Sequence, residues 1–237
     1  MLVIFDCDGV LVDSEIISAQ VSSDCLKEIG VELSADHILE TYRGKSVADC
    51  IRMITEELSQ LDSWKNLNAA EQAERGAQFW RHVQLQTLVV CEKELEPVAG
   101  VMSVLDTLQE KQIPFCVASN GKHEKMRMTL AKTGIISYVQ GRVFSFEDVT
   151  RGKPAPDLFL HAVKTLNIPA EQAIVVEDSL TGIQAAVAAG MRPLGYCPPN
   201  SDGSDNVLLQ PMRSLGAEVF FAMDELIPLI FNKSPNF

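Results

Sequence analysis

The sequence predicts an α/β fold, a parallel sheet with helices on both faces, interrupted after its first strand by an all-helical insertion. Two observations predict it. Five short apolar runs recur along the chain with helical patterns between them, which is the signature of strands joined by crossover helices. From about residue 15 to residue 91 that alternation stops, and only helical patterns remain.

The first run, LVIF (2–5), ends abruptly at DCDG (6–9). Alternate side chains of a strand share a face, so Asp6 and Asp8 are expected to project together from its carboxyl end, with Cys7 turned into the core between them. Two carboxylates in one small volume repel each other, and a cation, a shared proton or a catalytic task must compensate. The insertion contains SVADCIRMITEEL (46–58) and AAEQAERGAQFWRHVQLQTL (69–88). Trp64, Phe79 and Trp80 are expected to pack its small core. The domain boundaries read as 1–14 with 92–237 for the α/β core and 15–91 for the helical cap, with hinges near 13–15 and 91–96.

Beyond the insertion, Val98, Val101, Leu105 and Leu108 keep one helical face, as do Leu180, Ile183 and Val187, the latter helix closing on Gly190 as its C-terminal cap. PFCVAS (114–119), RVFS (142–145), AIVVE (173–177) and RPLGY (192–196) read as the remaining strands, and PPNSDGSDN (198–206) as a polar surface loop. In such a sheet ligands collect at the carboxyl ends of the strands, where Asp6, Ser119, Glu177 and Asp178 fall.

The 237 residues, 46% hydrophobic, are enough to bury a sizeable core. A formal charge of -12 without clustered Lys and Arg argues against nucleic acid or an anionic membrane as partner. No apolar run approaches the roughly 18 residues of a spanning helix. With the first strand opening at Leu2 and no basic leader before it, the expected location is the cytoplasm. The six cysteines form no C-x-x-C pair, and His37, His82, His123 and His161 stand at no metal-ligand spacing. The expected assembly is a monomer or a weak homo-oligomer.

Four separated segments outline a metal-assisted phosphate site: DCDG (6–9), VASNG (117–121), GKPAPD (152–157) and VVEDS (175–179). A carboxylate approaching a phosphate dianion meets repulsion of about 4 kcal/mol per charge pair at 4 Å and an effective dielectric of 20, so a divalent cation between them is close to obligatory. Asp6 is the expected nucleophile and a magnesium ligand, forming an aspartyl-phosphate. Asp8 is the second carboxylate, protonating the leaving alkoxide and then deprotonating water. Glu177 and Asp178 supply hard oxygens of the kind Mg2+ prefers. Lys153 offers positive charge, while the Ser119 hydroxyl and the amides opening the next helix hold the remaining phosphoryl oxygens. Gly9 and Gly121 allow backbone to approach a ligand closely. GKS (44–46) and GKP (152–154) are not P-loops, because Leu39 and Glu147 stand where that motif needs its first glycine.

FDCDGVLVDSE, VASNGK, GKPAPDLFLHA and VEDSLTGIQAAVAAGM, in that order, resemble the haloacid dehalogenase-like hydrolase superfamily. The likeness is to its helical-cap branch, with a Rossmann-like core, which contains beta-phosphoglucomutase and many sugar-phosphate phosphatases. The resemblance implies that Asp6 is the nucleophile, that Asp8 is the acid/base and gives magnesium its main-chain carbonyl, and that Ser119 and Lys153 bind phosphate. It also implies that Asp178, with Glu177 beside it, forms the acidic metal site. Dehalogenases of the superfamily lack the second aspartate, so Asp8 weighs against dehalogenation. The mutase's cap histidine and arginine align here with Ser18 and Val47.

The chain looks most like the bacterial 6-phosphogluconate phosphatase group. The expected activity is therefore magnesium-dependent hydrolysis of a small sugar or sugar-acid phosphate; a hexose-phosphate mutase or a silent phosphometabolite binder are the alternatives. The resemblance places substrate reading in the YRGKS loop (42–46), at Arg43 and Lys45, with Asn120, Gly121 and Lys122 on the core side.

Overall fold

The computed structural model describes residues 1–42, 45, 47–200 and 203–231. The chain forms two compact units, Met1–Asp13 with Leu95–Phe237, and Ser14–Glu94.

The first unit is built on a six-stranded, all-parallel sheet in the order β3-β2-β1-β4-β5-β6. Its strands are β1 (Leu2–Phe5), β2 (Phe115–Ser119), β3 (Val143–Ser145), β4 (Ala173–Glu177), β5 (Arg192–Tyr196) and β6 (Glu218–Phe220). The central strands β1, β2 and β4 are buried along their whole length, as expected of a sheet covered on both faces. Leu2 and Ile4 pack with Cys116, Ala118, Leu158, Phe159, Ala162 and Val175 on one face. On β1 the intervening Phe5 meets the Phe115 ring edge to face at 6.3 Å. The chain leaves β1 for β2 on one side, and β4 pairs with β1 on the other. That reversal opens a crevice at the carboxyl end of β1.

The crossover helices are α5 (Val101–Glu110), α6 (His123–Lys132), α7 (Asp157–Thr165) and α8 (Leu180–Ala188), followed by α9 (Leu209–Ser214) and α10 (Leu226–Phe231), the numbering leaving α1 to α4 for the second unit. Three details depart from the sequence reading. Val98 lies before α5, where its amide bonds the Leu11 carbonyl, so the helical face begins at Val101. Val187 is 48% exposed; α8 lies on the sheet through Gly182, Ile183, Ala185 and Ala186 instead, because small side chains let helix and sheet backbones come close. Strand β6 was not expected, since EVF is a three-residue edge strand only partly buried, too short to show a period.

Gly190 does close α8, at φ +71. In the 198–206 loop, residues 201 and 202 lie outside the described residues. Asn206 is buried there, its side chain bonding the Pro198 carbonyl and the Leu208 amide.

The described residues of the second unit form four α-helices, α1 (Ser14–Glu28), α2 (Ala35–Tyr42), α3 (Val47–Leu58) and α4 (Ala69–Glu94). Ala19, Leu26, Ile38, Ile54, Leu58 and Trp64 form its core with Phe79 at the margin, and Trp80 stacks on Tyr42 at 6.4 Å. All six cysteines are buried and unbridged. Among the described residues no helix is long and apolar enough to cross a membrane.

Candidate active site

Asp6 directly follows β1, Ser119 ends β2 and Glu177 ends β4, so the parallel register brings all three to one edge of the sheet. Lys153 arrives on the loop before α7. Its Nζ lies 2.5 Å from Asp6 Oδ1 and 2.6 Å from Glu177 Oε1, and 4.9 Å from the centroid of the Phe159 ring. Asp6, Lys153 and Glu177 are all buried. Burial, joined by the charges of Glu177 and Asp8, pushes the Asp6 carboxyl up to about 7 against the pull of Lys153. Burial alone would depress the Lys153 ammonium, but the charges of Asp6 and Glu177 outweigh it and hold the ammonium above the ordinary lysine range. Lys153 is thus a fixed cation pressed against the carboxylate at the end of β1.

Glu177 was expected among the metal ligands. Its two oxygens are committed within the protein: Oε1 to Lys153, and Oε2 to the Ser179 amide at 2.9 Å and the Ser179 hydroxyl at 2.8 Å. The carboxylate lies over Gly182, where an added Cβ would stand 1.8 Å from it. Asp178 lies elsewhere, over the turn after β1. A Cβ on Gly9 would stand 1.9 Å from Asp178 Oδ2, and Gly9 has φ +76, so both the backbone conformation and the carboxylate require glycine there.

Asp8 pairs with Lys125, whose Nζ lies 2.9 and 2.8 Å from its two oxygens. The expected pair of neighbouring carboxylates is therefore split between two lysines. Cys7 between them is buried in the core as expected, its Sγ 3.9 Å from Thr129 Oγ1 of α6, and burial pushes its thiol well above the ordinary range. Gly121 lies between Ser119 and Asp8: an added Cβ would stand 3.6 Å from Ser119 Oγ and 3.9 Å from Asp8 Oδ2.

Asn120, expected to touch substrate, uses its amide on the Lys153 backbone. It accepts from the Lys153 N–H at 2.9 Å and donates to the Lys153 carbonyl at 3.0 Å. The segment carrying Ser119 is thereby fastened to the one carrying Lys153. Lys122 is exposed at the N-terminus of α6, Lys45 is exposed in the second unit, and Arg43 lies outside the described residues.

Two participants were missed in the sequence. Lys125 is the third residue of α6, on the helix that follows the Ser119 loop, a placement readable only once the start of that helix is known. Ser145 pairs in register with Ser119 across β2 and β3, and its hydroxyl donates to the Gly121 carbonyl at 2.7 Å. Asp148 caps this corner, accepting from the Ser145 amide at 2.8 Å and meeting His123 Nε2 at 2.9 Å.

The donor chemistry fits a hard divalent cation. Asp6 and Asp178 flank the glycine turn that presents the Asp8 main chain, all of them oxygen donors. Among the described residues no three His, Cys, Asp or Glu side chains are grouped so as to hold a metal ion by themselves.

Comparison with known proteins is consistent with this geometry. The model of the haloacid dehalogenase-like hydrolases matches residues 1–190. The 6-phosphogluconate phosphatase of Escherichia coli K12 is 30% identical over 195 residues, covering 82% of this chain and 81% of that one. A haloacid dehalogenase-like protein of Agrobacterium tumefaciens superposes with TM-score 0.76 at 32% identity, over 97% of this chain and 96% of that one. A hydrolase from Deinococcus radiodurans, solved with bound phosphate and sodium, gives TM-score 0.74 at 27% identity over 95% and 92%. The chain belongs to the haloacid dehalogenase-like hydrolase family.

Proposed function

We propose that this hydrolase is a magnesium-dependent phosphatase, releasing inorganic phosphate from a small sugar or sugar-acid phosphate through an aspartyl-phosphate on Asp6. The observation that carries the reading is the buried contact between Asp6 and Lys153, at the end of the sheet where β2 closes on Ser119. An attacking carboxylate is there set next to a fixed positive charge. Identity of 30% to a 6-phosphogluconate phosphatase supports the substrate class.

Asp6 attacks phosphorus as the P–O ester bond breaks, and the departing alkoxide takes a proton from Asp8. Asp8 then removes a proton from water, which attacks the aspartyl-phosphate, releases phosphate and restores Asp6. Lys153, the Ser119 hydroxyl and the amides at the start of α6 hold the phosphoryl oxygens and offset their developing charge. Asp6, Asp178 and the Asp8 main-chain oxygen would hold magnesium, which would supply the charge neutralisation that lets two anions meet. Glu177 anchors Lys153 from behind, and Asn120 sets its backbone.

The test is phosphate release from sugar phosphates, sugar-acid phosphates, phosphoglycolate and nucleotides, each with magnesium and with excess chelator. Release that disappears on chelation is the expected result. An isomerised ester without release would point to a mutase, and binding without turnover to a silent binder.

A further inference from the structure

The Asp8–Lys125 pair is not required by the attack on phosphorus. Lys125 holds both Asp8 oxygens, at 2.9 and 2.8 Å, and both partners are set on fixed supports. Asp8 follows β1 in a turn closed by the Gly9 amide to the Val12 carbonyl and by the Val12 amide to the Cys7 carbonyl. Lys125 stands on α6, which is seated through buried Met126, Thr129 and Leu130. The start of that helix is tied to the β3 corner by the His123 amide to Glu147 at 2.8 Å and by the His123 ring to Asp148 at 2.9 Å. The same helix follows the loop bearing Ser119 and Gly121, so one element sets both the phosphate loop and the Asp8 side chain. With side chains 36% and 26% exposed, an ordinary surface pair would add little; a two-pronged contact between fixed supports restricts the Asp8 rotamer.

We propose that Lys125 is a positioning residue, fixing the Asp8 carboxyl where the leaving-group oxygen departs. This rests on the reading of Asp8 as the acid/base. Lys125 does not bind the phosphoryl group, which is left to Lys153 on the Asp6 side. An alkyl ester depends on Asp8 to protonate a basic alkoxide, whereas an activated aryl ester leaves without that help. The value of Lys125 therefore depends on the leaving group.

The experiment compares kcat/KM, which reports the first phosphoryl transfer, for an alkyl phosphate such as 6-phosphogluconate and for p-nitrophenyl phosphate. Misplacing an acid by about 1 Å costs on the order of 100-fold, so Lys125→Met is expected to lower the alkyl value by about 10- to 100-fold. The aryl value should change by less than about threefold, and Lys125→Arg should recover most of the alkyl loss. Lys125→Gln serves as a second truncation with the same expected pattern. Equal losses on both esters would make Lys125 a phosphate-binding group and overturn the proposal, as would no loss on either. A crystal structure of Lys125→Met with Asp8 in an unchanged rotamer would also overturn it. Turnover of the unmodified enzyme, measured first, tests the phosphatase reading separately from the role of Lys125.

Discussion

Lys153 and Glu177 meet at 2.6 Å with both side chains buried, and it is through this contact that the end of β4 sets the cation facing the end of β1. Removing one partner of a buried ion pair costs about 3–5 kcal/mol, because the other charge stays buried. Here Asp6 still faces Lys153, so Glu177→Gln is expected near or below the lower end of that range. Urea denaturation should show this loss, and phosphatase assays should show a raised KM with the looser ammonium.

Glycine substitutions separate close approach from backbone conformation. Gly134 has φ +78 and nothing within 4 Å of an added Cβ, whereas Gly9 has φ +76 and the Asp178 carboxylate in the way. Gly134→Ala should cost only the left-handed penalty of about 1–2 kcal/mol. Gly9→Ala should cost more, and should weaken magnesium binding in calorimetric titration because Asp178 is displaced. Equal stability losses with unchanged metal affinity would contradict this placement of Asp178.

Asn120 acts on two segments through one amide. Asn120→Ala should lower kcat by about tenfold with little change in melting temperature, while Asn120→Asp should be worse, since an ionised carboxylate accepts from the Lys153 amide but repels the Lys153 carbonyl. A variant with normal kcat would show that the tie does not position Lys153.

The Asp6 carboxyl stands at about 7 against an ordinary 3.8, so the native state binds its proton more tightly than the unfolded chain does. That contribution is full below about pH 4 and is lost as pH rises through about 7. In metal-free protein, Asp6→Asn should therefore be more stable than the unsubstituted chain above pH 7, by on the order of a few kcal/mol, with the difference vanishing toward pH 4. Thermal melts across that range check the sign, and added magnesium should reduce the difference by favouring ionised Asp6.

What the sequence made legible follows from the physics of each signal. Strands β1, β2 and β4 were readable because buried parallel strands are continuous apolar runs, and Asp6 and Ser119 because such runs stop where the chain reaches the crevice. The engagement of Glu177 was not readable: a carboxylate at a strand end does not reveal that Ser179 and Lys153 will take both its oxygens, nor that Gly182 makes room for it. Lys125 was hidden because its direction depends on where α6 begins, and Asn120 because an amide after a strand serves a substrate or a neighbouring loop equally well. Val187 misled because the apolar stripe of α8 is drawn in alanine and glycine, whose burial leaves little periodic hydrophobicity.

The central claim is that phosphate passes through Asp6. The most direct measurement is acid-quenched mass spectrometry of enzyme mixed with magnesium and substrate, mapping the peptide that carries residue 6, alongside phosphate release by Asp6→Asn. The account predicts a transient phosphate adduct on Asp6, absent with chelator, and a folded Asp6→Asn protein without turnover. Normal turnover by Asp6→Asn, or rapid phosphate release with no adduct at any quench time, would contradict it.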